Sequence, residues 1–522
     1  MKRQSLVLLV IAFTASALAN YNSSIKMRVR AEWPTSAGEN CGATGLNLTA
    51  EGQLLTTCDS GIDTANMETM TPDIKPNLVG FDFTYGESYV ARKDLNGHGT
   101  HTAGSIVGTG AQSGGQFKGM AYKAKLWAWM GGNAGGGDGS YVPYNIDEAF
   151  RPIYKSSYAN CGMVSHIYSA SYGSDGDAYR GVYGADTAKP IDEYCWNHPD
   201  FLPVWAAANS GTKGASSISG QGTAKNALVV GASGNYYGYP DAADENQIAT
   251  FSSRGPTKDG RIKPDVVSPG CNVISALSSQ AKDTSRMIVY NQYYAYMSGT
   301  SQATPLTAGM CALIREWLIR YRGFNEKEKK PSSALIKAIV MGGAVDIGAD
   351  KNAQGAGRTD LASSVAPTDG RKIYLKDRIP FAEDKQTVFT FTTTEDKPLD
   401  AQLVWVDYPG TPSSVAASPM LVNDLDLSLV KWDVAANKKD TTFDECYGNG
   451  GSEADRLNNA ESIHLNSLPA GTYKLVVYGL NVPYDSTQGG AAALYLKGAF
   501  DERTVSVRDK LEDTHPVKII VR

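Results

Sequence analysis

The sequence carries no excess of basic charge. Its 522 residues include 49 Lys and Arg against 54 Asp and Glu, which gives a formal net charge of -5. Proteins that bind nucleic acid usually present a basic patch or stripe, so the composition argues against a nucleic-acid partner. The seven cysteines contain no CxxC pair, which argues against a structural zinc site. Because seven is odd, at least one thiol has no disulfide partner within the chain.

Long apolar runs are also missing from the sequence. No stretch reaches about 18 apolar residues, the length that spans a bilayer. The N-terminus instead combines Lys2 and Arg3, a short apolar segment over residues 5–13, and small residues at Ala17 and Ala19. This order is typical of an export signal. We therefore predict a signal peptide over residues 1–19, and a product without a stable membrane anchor that is secreted (extracellular) or held in the lumen of the secretory pathway.

The first two thirds of the chain have the pattern of an α/β domain. Buried-type strands such as residues 203–207 and 227–230 alternate with helical stretches such as residues 306–321. This alternation is typical of a mostly parallel sheet flanked by helices. We predict such a domain over residues 28–366.

The pattern changes near residue 367. Short alternating strands, for example residues 387–391 and 473–478, are then separated by turn residues. This pattern indicates an antiparallel β-sandwich. We predict a C-terminal β-sandwich domain over residues 371–500 and a charged tail over residues 501–522.

Two short motifs place an aspartate and a histidine where catalytic chemistry can occur. Residues 58–63 follow a predicted strand, and Gly61 allows a sharp turn at the carboxyl end of that strand, where α/β sheets hold functional side chains. Two glycines flank His98, which leaves its imidazole accessible to both a nucleophile and an orienting carboxylate. Taken alone, Asp59 fits an ordinary turn, and His98 with His101 fits a glycine-rich loop.

A third motif places a serine at the start of a helix. Ser301 precedes an apolar helical stretch, and Pro305 suits the first helical turn because its missing N–H would have no helical partner there. The positive end of the helix dipole favours negative charge that develops at this serine. An isolated serine here would be interpreted as an N-cap only.

The three motifs together resemble the subtilisin-like serine peptidases, also called subtilases. They occur in the order Asp, His, Ser with roughly 40 and then roughly 200 residues between them, and the chain has no G-x-S-x-G motif. The resemblance covers residue 28 to about residue 365. It implies a secreted serine endopeptidase that hydrolyses polypeptides through an acyl-enzyme intermediate.

The resemblance also implies residue roles. Ser301 matches the family nucleophile, His98 the general base, and Asp59 the carboxylate that orients the imidazole. Asn209 matches the oxyanion-hole asparagine, which donates to the intermediate together with the backbone N–H of Ser301. Ala208 stands where the family usually has glycine, and we expect its methyl group to narrow the adjacent specificity pocket.

The resemblance further implies how substrate is held. Ser171, Tyr172 and Gly173 resemble the segment that pairs with extended substrate as an added strand, which uses main-chain hydrogen bonds. We expect polypeptide substrates, a monomeric protein and no catalytic metal.

The C-terminal region resembles the β-sandwich domain of one branch of alkaline subtilases. Asn423, Asp424 and Asp426 offer oxygen ligands of the type that calcium prefers. They fit turn and edge-strand positions equally well. We therefore expect calcium as a structural cofactor, at positions that the sequence does not assign.

Two other classes of function are compatible with parts of the sequence. One is a catalytically inactive binding protein that keeps the fold, although such proteins usually lose a residue of the triad or the oxyanion site. The other is a carbohydrate-binding or surface-binding role for the sandwich, which would require exposed aromatic side chains. The candidates for such a platform are Trp405, Trp432 and Tyr447.

Overall fold

The structure is a computed structural model, and it describes most of the chain. The described residues are 27, 45–83, 93–130, 150, 161–235, 244–282, 284–412, 418–451 and 453–508. The predicted signal peptide over residues 1–19 lies outside them, as do most of residues 28–44 and the end of the predicted tail.

A seven-stranded, wholly parallel sheet forms the centre of the first domain, as the alternating pattern predicted. Its strands are rich in Val, Leu, Ile and Ala, because both faces of a parallel sheet are covered by other elements. Its spatial order is β2-β3-β1-β4-β5-β6-β7. The strands are β1 (Leu54–Asp59), β2 (Leu78–Phe83), β3 (Lys125–Met130), β4 (Ile167–Ala170), β5 (Leu202–Ala206), β6 (Leu228–Ser233) and β7 (Val266–Pro269).

Helices pack on this sheet, and the longest begins at the candidate nucleophile. They are α1 (His98–Val107), α2 (Ala188–Asn197), α3 (Thr300–Tyr321), α4 (Ser333–Gly342), α5 (Lys351–Gln354) and α6 (Leu361–Val365). The start of α3 lies earlier than the sequence indicated, so Pro305 is inside the helix rather than in its first residues. No helix in the described part of the chain is long and apolar enough to cross a membrane.

A small antiparallel sheet leads into α3. It has the order β8-β10-β9 and consists of β8 (Val273–Ala276), β9 (Ile288–Val289) and β10 (Tyr294–Met297). Because β10 ends just before Ser298, this sheet fixes where α3 begins.

The C-terminal region forms two antiparallel sheets, as predicted. One has the order β11-β19-β13-β17; the other has the order β15-β14-β18-β12-β20, and β16 pairs with β14. Their facing sides enclose a second apolar core that includes Phe389, Leu427 and Leu475. The strands are β11 (Lys372–Ile379), β12 (Gln386–Thr393), β13 (Lys397–Trp405), β14 (Asp424–Asp433), β15 (Lys438–Lys439), β16 (Cys446–Tyr447), β17 (Ala460–Leu468), β18 (Gly471–Asn481), β19 (Ala492–Gly498) and β20 (Ser506–Arg508).

The predicted tail over residues 501–522 requires a correction at its start. β20 pairs with β12, for example Phe389 with Val507. The sandwich therefore extends to Arg508, beyond the predicted limit at residue 500. The sequence did not indicate this strand, because Val507 is its one apolar residue and so no apolar alternation is visible.

The two domains share their apolar cores across a common interface. Trp196, at the end of α2, packs in the sandwich core, whereas Tyr495 of β19 packs in the core of the α/β domain. Tyr495 lies so close to α4 that a Cβ atom on Gly342 would stand 2.4 Å from its ring. Only glycine, which has no Cβ atom, therefore fits at residue 342.

A fully buried ion pair crosses the same interface. The side chains of Lys225 and Asp407 have no solvent exposure, and the Lys225 ammonium donates to the Asp407 carboxylate. It also donates to the carbonyl oxygens of Tyr408 and Met420, both at 2.6 Å. Asn226 exchanges two hydrogen bonds of 2.8 Å with the backbone of Asp407. The ammonium is thus fully coordinated by the second domain.

The three aromatic residues suggested as a binding platform do not form one. Trp405 is fully buried, and its indole N–H donates to the Asn423 carbonyl at 2.9 Å. The ring of Trp432 is covered by the Lys474 ammonium, 3.0 Å from the ring centroid. Tyr447 is half-buried on a two-residue strand.

We predict that Lys225→Met destabilises the protein by about 3–5 kcal/mol, because it leaves the Asp407 carboxylate buried without a cationic partner. The double variant Lys225→Met, Asp407→Leu removes both charges and should recover part of that loss, since the N–H groups of Val422 and Asn423 then lose their acceptor. Urea unfolding at neutral pH measures both free energies of unfolding.

The control variant is Lys123→Met, because Lys123 pairs with Glu51 at 3.5 Å on the surface. Such exposed pairs contribute about 0–1 kcal/mol. An effect of Lys225→Met no larger than that of this control would contradict the role of the buried pair.

Candidate active site

Asp59 is the last residue of β1, at the carboxyl edge of the parallel sheet. Its Oδ1 lies 2.6 Å from Nδ1 of His98 and accepts a hydrogen bond of 2.7 Å from the Ser60 N–H. Its Oδ2 accepts from the Thr102 hydroxyl at 3.1 Å. The carboxylate is nearly buried and held at both oxygens, so its direction toward the imidazole is fixed.

His98 is the first residue of α1, and the glycines beside it have steric reasons. Gly97 has φ of 85°, which a side chain would make unfavourable. A Cβ atom on Gly99 would stand 2.2 Å from the carbonyl oxygen of Gly61. The two glycines therefore let α1 begin directly against the turn that follows Asp59, with the His98 side chain 22% exposed.

Asp94, which no sequence motif singled out, connects these two segments. One carboxylate oxygen accepts 2.8 Å hydrogen bonds from the Ser60 hydroxyl and the Gly97 N–H. The other accepts from the N–H and the hydroxyl of Thr100, at 2.8 and 2.5 Å. The sequence did contain a signal for this role of Asp94. It is an acidic residue shortly before the start of a helix, and the first N–H groups of a helix need acceptors.

The environment of His98 changes its basicity in opposing directions. Burial lowers the pKa of its imidazole, but the charge and the hydrogen bond of Asp59 raise it, and the charge of Asp94 adds to this. Arg286 opposes them weakly. The net result is a pKa above the ordinary value of 6.5, so the paired carboxylate favours the imidazolium.

Ser301 lies in the first turn of α3, which packs against α1. Its hydroxyl donates to the carbonyl oxygen of Ser171 at 3.1 Å, and the Ser171 hydroxyl donates back to the Ser301 carbonyl at 2.8 Å. In the described part of the chain, the Ser301 hydroxyl bonds Ser171 and not His98. Apo catalytic sites often hold such a looser arrangement before substrate binds.

Pro305 explains why the Ser301 carbonyl is available to Ser171. In a regular helix this carbonyl would accept from the N–H four residues later, but residue 305 is proline and has none. The proline thus converts a helical acceptor into an anchor for the neighbouring segment.

Asn209 is held beside the start of α3. Its Oδ1 accepts from the Thr300 N–H at 2.9 Å and from the Thr300 hydroxyl at 3.0 Å, so its Nδ2 is directed away from Thr300. A Cβ atom built on Gly299 would lie 3.4 Å from that Nδ2 and 3.6 Å from the Ser301 backbone nitrogen. Both nitrogen atoms therefore border the space beside Gly299, which the Gln302 Oε1 also borders, at 2.8 Å from the same Cβ position. Ala208, immediately before Asn209, has φ of 88°, a left-handed value that alanine rarely adopts.

The segment that contains Ser171, Tyr172 and Gly173 extends from the end of β4 past Ser301. The Tyr172 carbonyl accepts from the Trp205 indole at 2.6 Å, and its ring packs edge-on against that indole. The Tyr172 carbonyl thus points inward, while Gly173 is exposed. Alternation along an extended chain leaves residues 171 and 173 directed toward the opposite side.

The three residues suggested as calcium ligands have other partners. One guanidinium nitrogen of Arg456 donates to the carboxylates of both Asp424 and Asp426. The amide oxygen of Asn423 accepts from the Tyr484 N–H at 3.1 Å. As arranged, these residues do not fit a calcium ion. Among the described residues, no group of three or more His, Cys, Asp or Glu is suited to a metal ion.

The described part of the chain also contains a cavity of about 270 Å³ between the domains. Residues from both domains line it, including Lys351 and His464. Asp59, His98 and Ser301 are absent from its lining, so this cavity is separate from the candidate active site.

A serine hydroxyl at a helix start, and an imidazole paired with a buried carboxylate, are the groups that a serine hydrolase site requires. The chain order Asp, His, Ser on a parallel sheet narrows this class to subtilisin-like peptidases. The subtilase family model matches residues 50–357, and the chain belongs to that family of serine peptidases.

Three proteins of similar sequence are named as serine proteases or subtilisins. Serine protease AprX of Bacillus subtilis (strain 168) is 33% identical over 275 residues, which cover 52% of this chain and 58% of AprX. Subtilisin Savinase of Lederbergia lenta is 30% identical over 285 residues, which cover 54% of this chain and 84% of Savinase. The Dictyostelium discoideum serine protease/ABC transporter B family protein tagB is 25% identical over 84% of this chain, but the match spans only 29% of tagB. A solved structure of the self-cleaved protease domain of PatA has 20% identity and a TM-score of 0.42, covering 61% of this chain and 97% of that one.

We predict that the acid limb of the pH profile for kcat/KM reports a group with a pKa above 6.5, since His98 must be neutral to act as a base. Asp59→Asn removes the charge that raises this pKa but keeps the burial that lowers it. The limb should therefore move to lower pH, while turnover falls by several orders of magnitude.

Thr102→Val is the control, because it removes one hydrogen bond to Asp59 and leaves the carboxylate charge in place. It should change turnover far less and keep the limb above 6.5. An acid limb that Asp59→Asn leaves unmoved would contradict the assignment of the base.

Proposed function

We propose that this protein is a secreted serine endopeptidase that hydrolyses polypeptides through an acyl-enzyme intermediate. The observation that supports it most directly is the 2.6 Å contact between Asp59 and His98 in a member of the subtilase family, with Ser301 at the start of the adjacent helix. The export pattern at residues 1–19 supports secretion. We further propose that the protein acts as a monomer.

The first chemical step forms the acyl-enzyme. The Ser301 hydroxyl rotates from Ser171 toward His98, gives its proton to Nε2, and its oxygen attacks the carbonyl carbon of the scissile peptide. Asp59 stabilises the resulting imidazolium through Nδ1. The negative oxygen of the tetrahedral intermediate accepts from Asn209 Nδ2 and the Ser301 N–H.

Collapse of this intermediate breaks the carbon–nitrogen bond. His98 gives its proton to the leaving amine, which departs as the new N-terminus. A water molecule then attacks the ester with His98 again as base, and Ser301 regains its proton when the acid product leaves. The same two donors stabilise the second tetrahedral intermediate.

Substrate binding in this proposal depends on the main chain. An extended peptide pairs with residues 171 and 173 as an added strand, which places its carbonyl beside Ser301. Gly173 is exposed, which leaves its main chain open to a peptide, and a Cβ atom on it would stand 2.8 Å from Ser219. Main-chain pairing binds peptides of many sequences, so selectivity must come from the side chains that border the bound peptide.

We predict that Ser301→Ala, His98→Ala and Asp59→Asn each lower turnover by several orders of magnitude, with effects that do not add in double variants. Asn209→Ala should lower turnover by about a hundredfold to a thousandfold, since it removes one donor to the oxyanion. Peptidase activity on a chromogenic peptide measures these losses.

Labelling with a serine-directed phosphonate separates this proposal from an inactive scaffold. The folded wild-type protein should be modified at Ser301, and folded Ser301→Ala should not. Circular dichroism confirms folding in each case. An unlabelled, folded wild-type protein would favour the inactive binding protein.

We also propose that calcium stabilises the folded protein, at a site other than the Arg456-bound carboxylates of Asp424 and Asp426. A cation that binds only the folded state raises its stability by mass action. Excess chelator should therefore lower the melting temperature of calcium-loaded protein, and added calcium should restore it. An unchanged melting curve in chelator would refute calcium as a cofactor.

A further inference from the structure

Two chain segments border the acyl side of Ser301. His98 must protonate the leaving amine, so the leaving half of the substrate lies toward α1. The acyl half of the substrate must then lie on the other side of Ser301, along the other segments that contact α3. These are the segment from Ser171 onward, bonded to Ser301, and the segment of Asn209, bonded to Thr300.

A side-chain hydrogen bond links these two segments just beyond the catalytic residues. The hydroxyl of Ser210, which follows Asn209, donates to Oδ2 of Asp175 at 3.0 Å. Asp175 is exposed and lies two residues after Gly173. Its carboxylate is therefore held at the protein surface beside Ser210, the residue that directly follows the candidate oxyanion donor Asn209.

The Asp175 carboxylate has no cationic partner among the described residues. Arg180 donates to the backbone carbonyl of Asp175 at 2.9 Å and pairs with the carboxylate of Asp177. Lys213 lies in the loop of Ser210, where its backbone N–H donates to the Ser210 carbonyl at 2.9 Å, and it forms no salt bridge with Asp175. Within the described part of the chain, no cation lies within salt-bridge distance of the Asp175 carboxylate, which leaves this carboxylate available to a cation of the substrate.

We propose that Asp175 is a specificity-determining residue that favours a lysine or arginine side chain on the substrate residue whose carbonyl is attacked. This inference rests on the peptidase function proposed above. The side chain of that residue projects from the carbon beside the oxyanion, so its cationic end reaches the edge formed by Asp175 and Ser210. Ser210 holds the carboxylate in place and leaves Oδ1 for the cation.

The size of the effect follows from exposure. Solvent screens an ion pair at an open edge, which limits its contribution to about 1 kcal/mol or less. That corresponds to a preference of about threefold to fivefold in kcat/KM over a neutral side chain. Because the pair is exposed, the preference should shrink as ionic strength rises.

The test compares three peptides that differ only in this residue, which is lysine, leucine or glutamate. Asp175→Asn should lower the lysine-to-leucine ratio of kcat/KM about threefold to fivefold. Asp175→Lys should reverse the order, so that the glutamate peptide is cut faster than the lysine peptide. Asp444→Asn is the matched control, since Asp444 is an exposed aspartate of the sandwich, and it should leave every ratio unchanged.

The outcomes separate this inference from the peptidase function. Ratios that neither variant at residue 175 changes, in an enzyme that cuts the leucine peptide, would overturn the specificity role alone. If wild type cuts no peptide, calorimetry with Ser301→Ala decides the question. Tighter binding of the lysine peptide, lost in the added Asp175→Asn variant, would support the charged edge, and equal binding of all three peptides would overturn it.

Discussion

A buried carboxylate outside the candidate triad holds two segments of the candidate site together. Asp94 ties Ser60, which follows Asp59, to the first turn of the helix that begins at His98. Burial is the largest influence on Asp94 and raises the pKa of its carboxyl group, while its hydrogen bonds from Thr100, Ser60 and Gly97 lower it. An acceptor in this position satisfies helical N–H groups that would otherwise be buried without partners. The 2.6 Å contact between His98 and Asp59 depends on this arrangement.

A second constraint operates between the domains. Lys225 and Asp407 are 182 positions apart in the chain, yet their contact lies in the centre of the interface. Trp196 and Tyr495 each contribute to the other domain's core, so the apolar and ionic contacts support the same relative placement. The sandwich therefore acts as part of the folding unit of the peptidase domain. It does not resemble an appended module on a linker, whose interface would be smaller and more polar.

Local patterns in the sequence were sufficient for the fold class and for singling out Asp59 and His98, which lie 2.6 Å apart. Parallel strands, alternating sandwich strands and the glycines around His98 all leave local signals, because each follows from the packing of adjacent residues. Contacts between distant residues leave no such signal. The bond from Ser171 to the Ser301 carbonyl, and the pairing of Lys225 with Asp407, both join segments far apart in the chain. The Arg456 contact of Asp424 was equally hidden, and without it the acidic pattern resembled a calcium site.

Ala208, the residue before the candidate oxyanion donor Asn209, lowers the conformational entropy of this backbone segment. Ala208 adopts φ of 88° at a strain of about 1–3 kcal/mol, which a glycine would avoid. A glycine would, however, give the unfolded chain and the free enzyme more backbone conformations at this point. The methyl group excludes many of these, so Asn209 follows a backbone with few alternatives. Asn209 would then lose less conformational entropy when it donates to a developing negative charge. The strain at Ala208 therefore favours a candidate donor that is already ordered before a substrate binds.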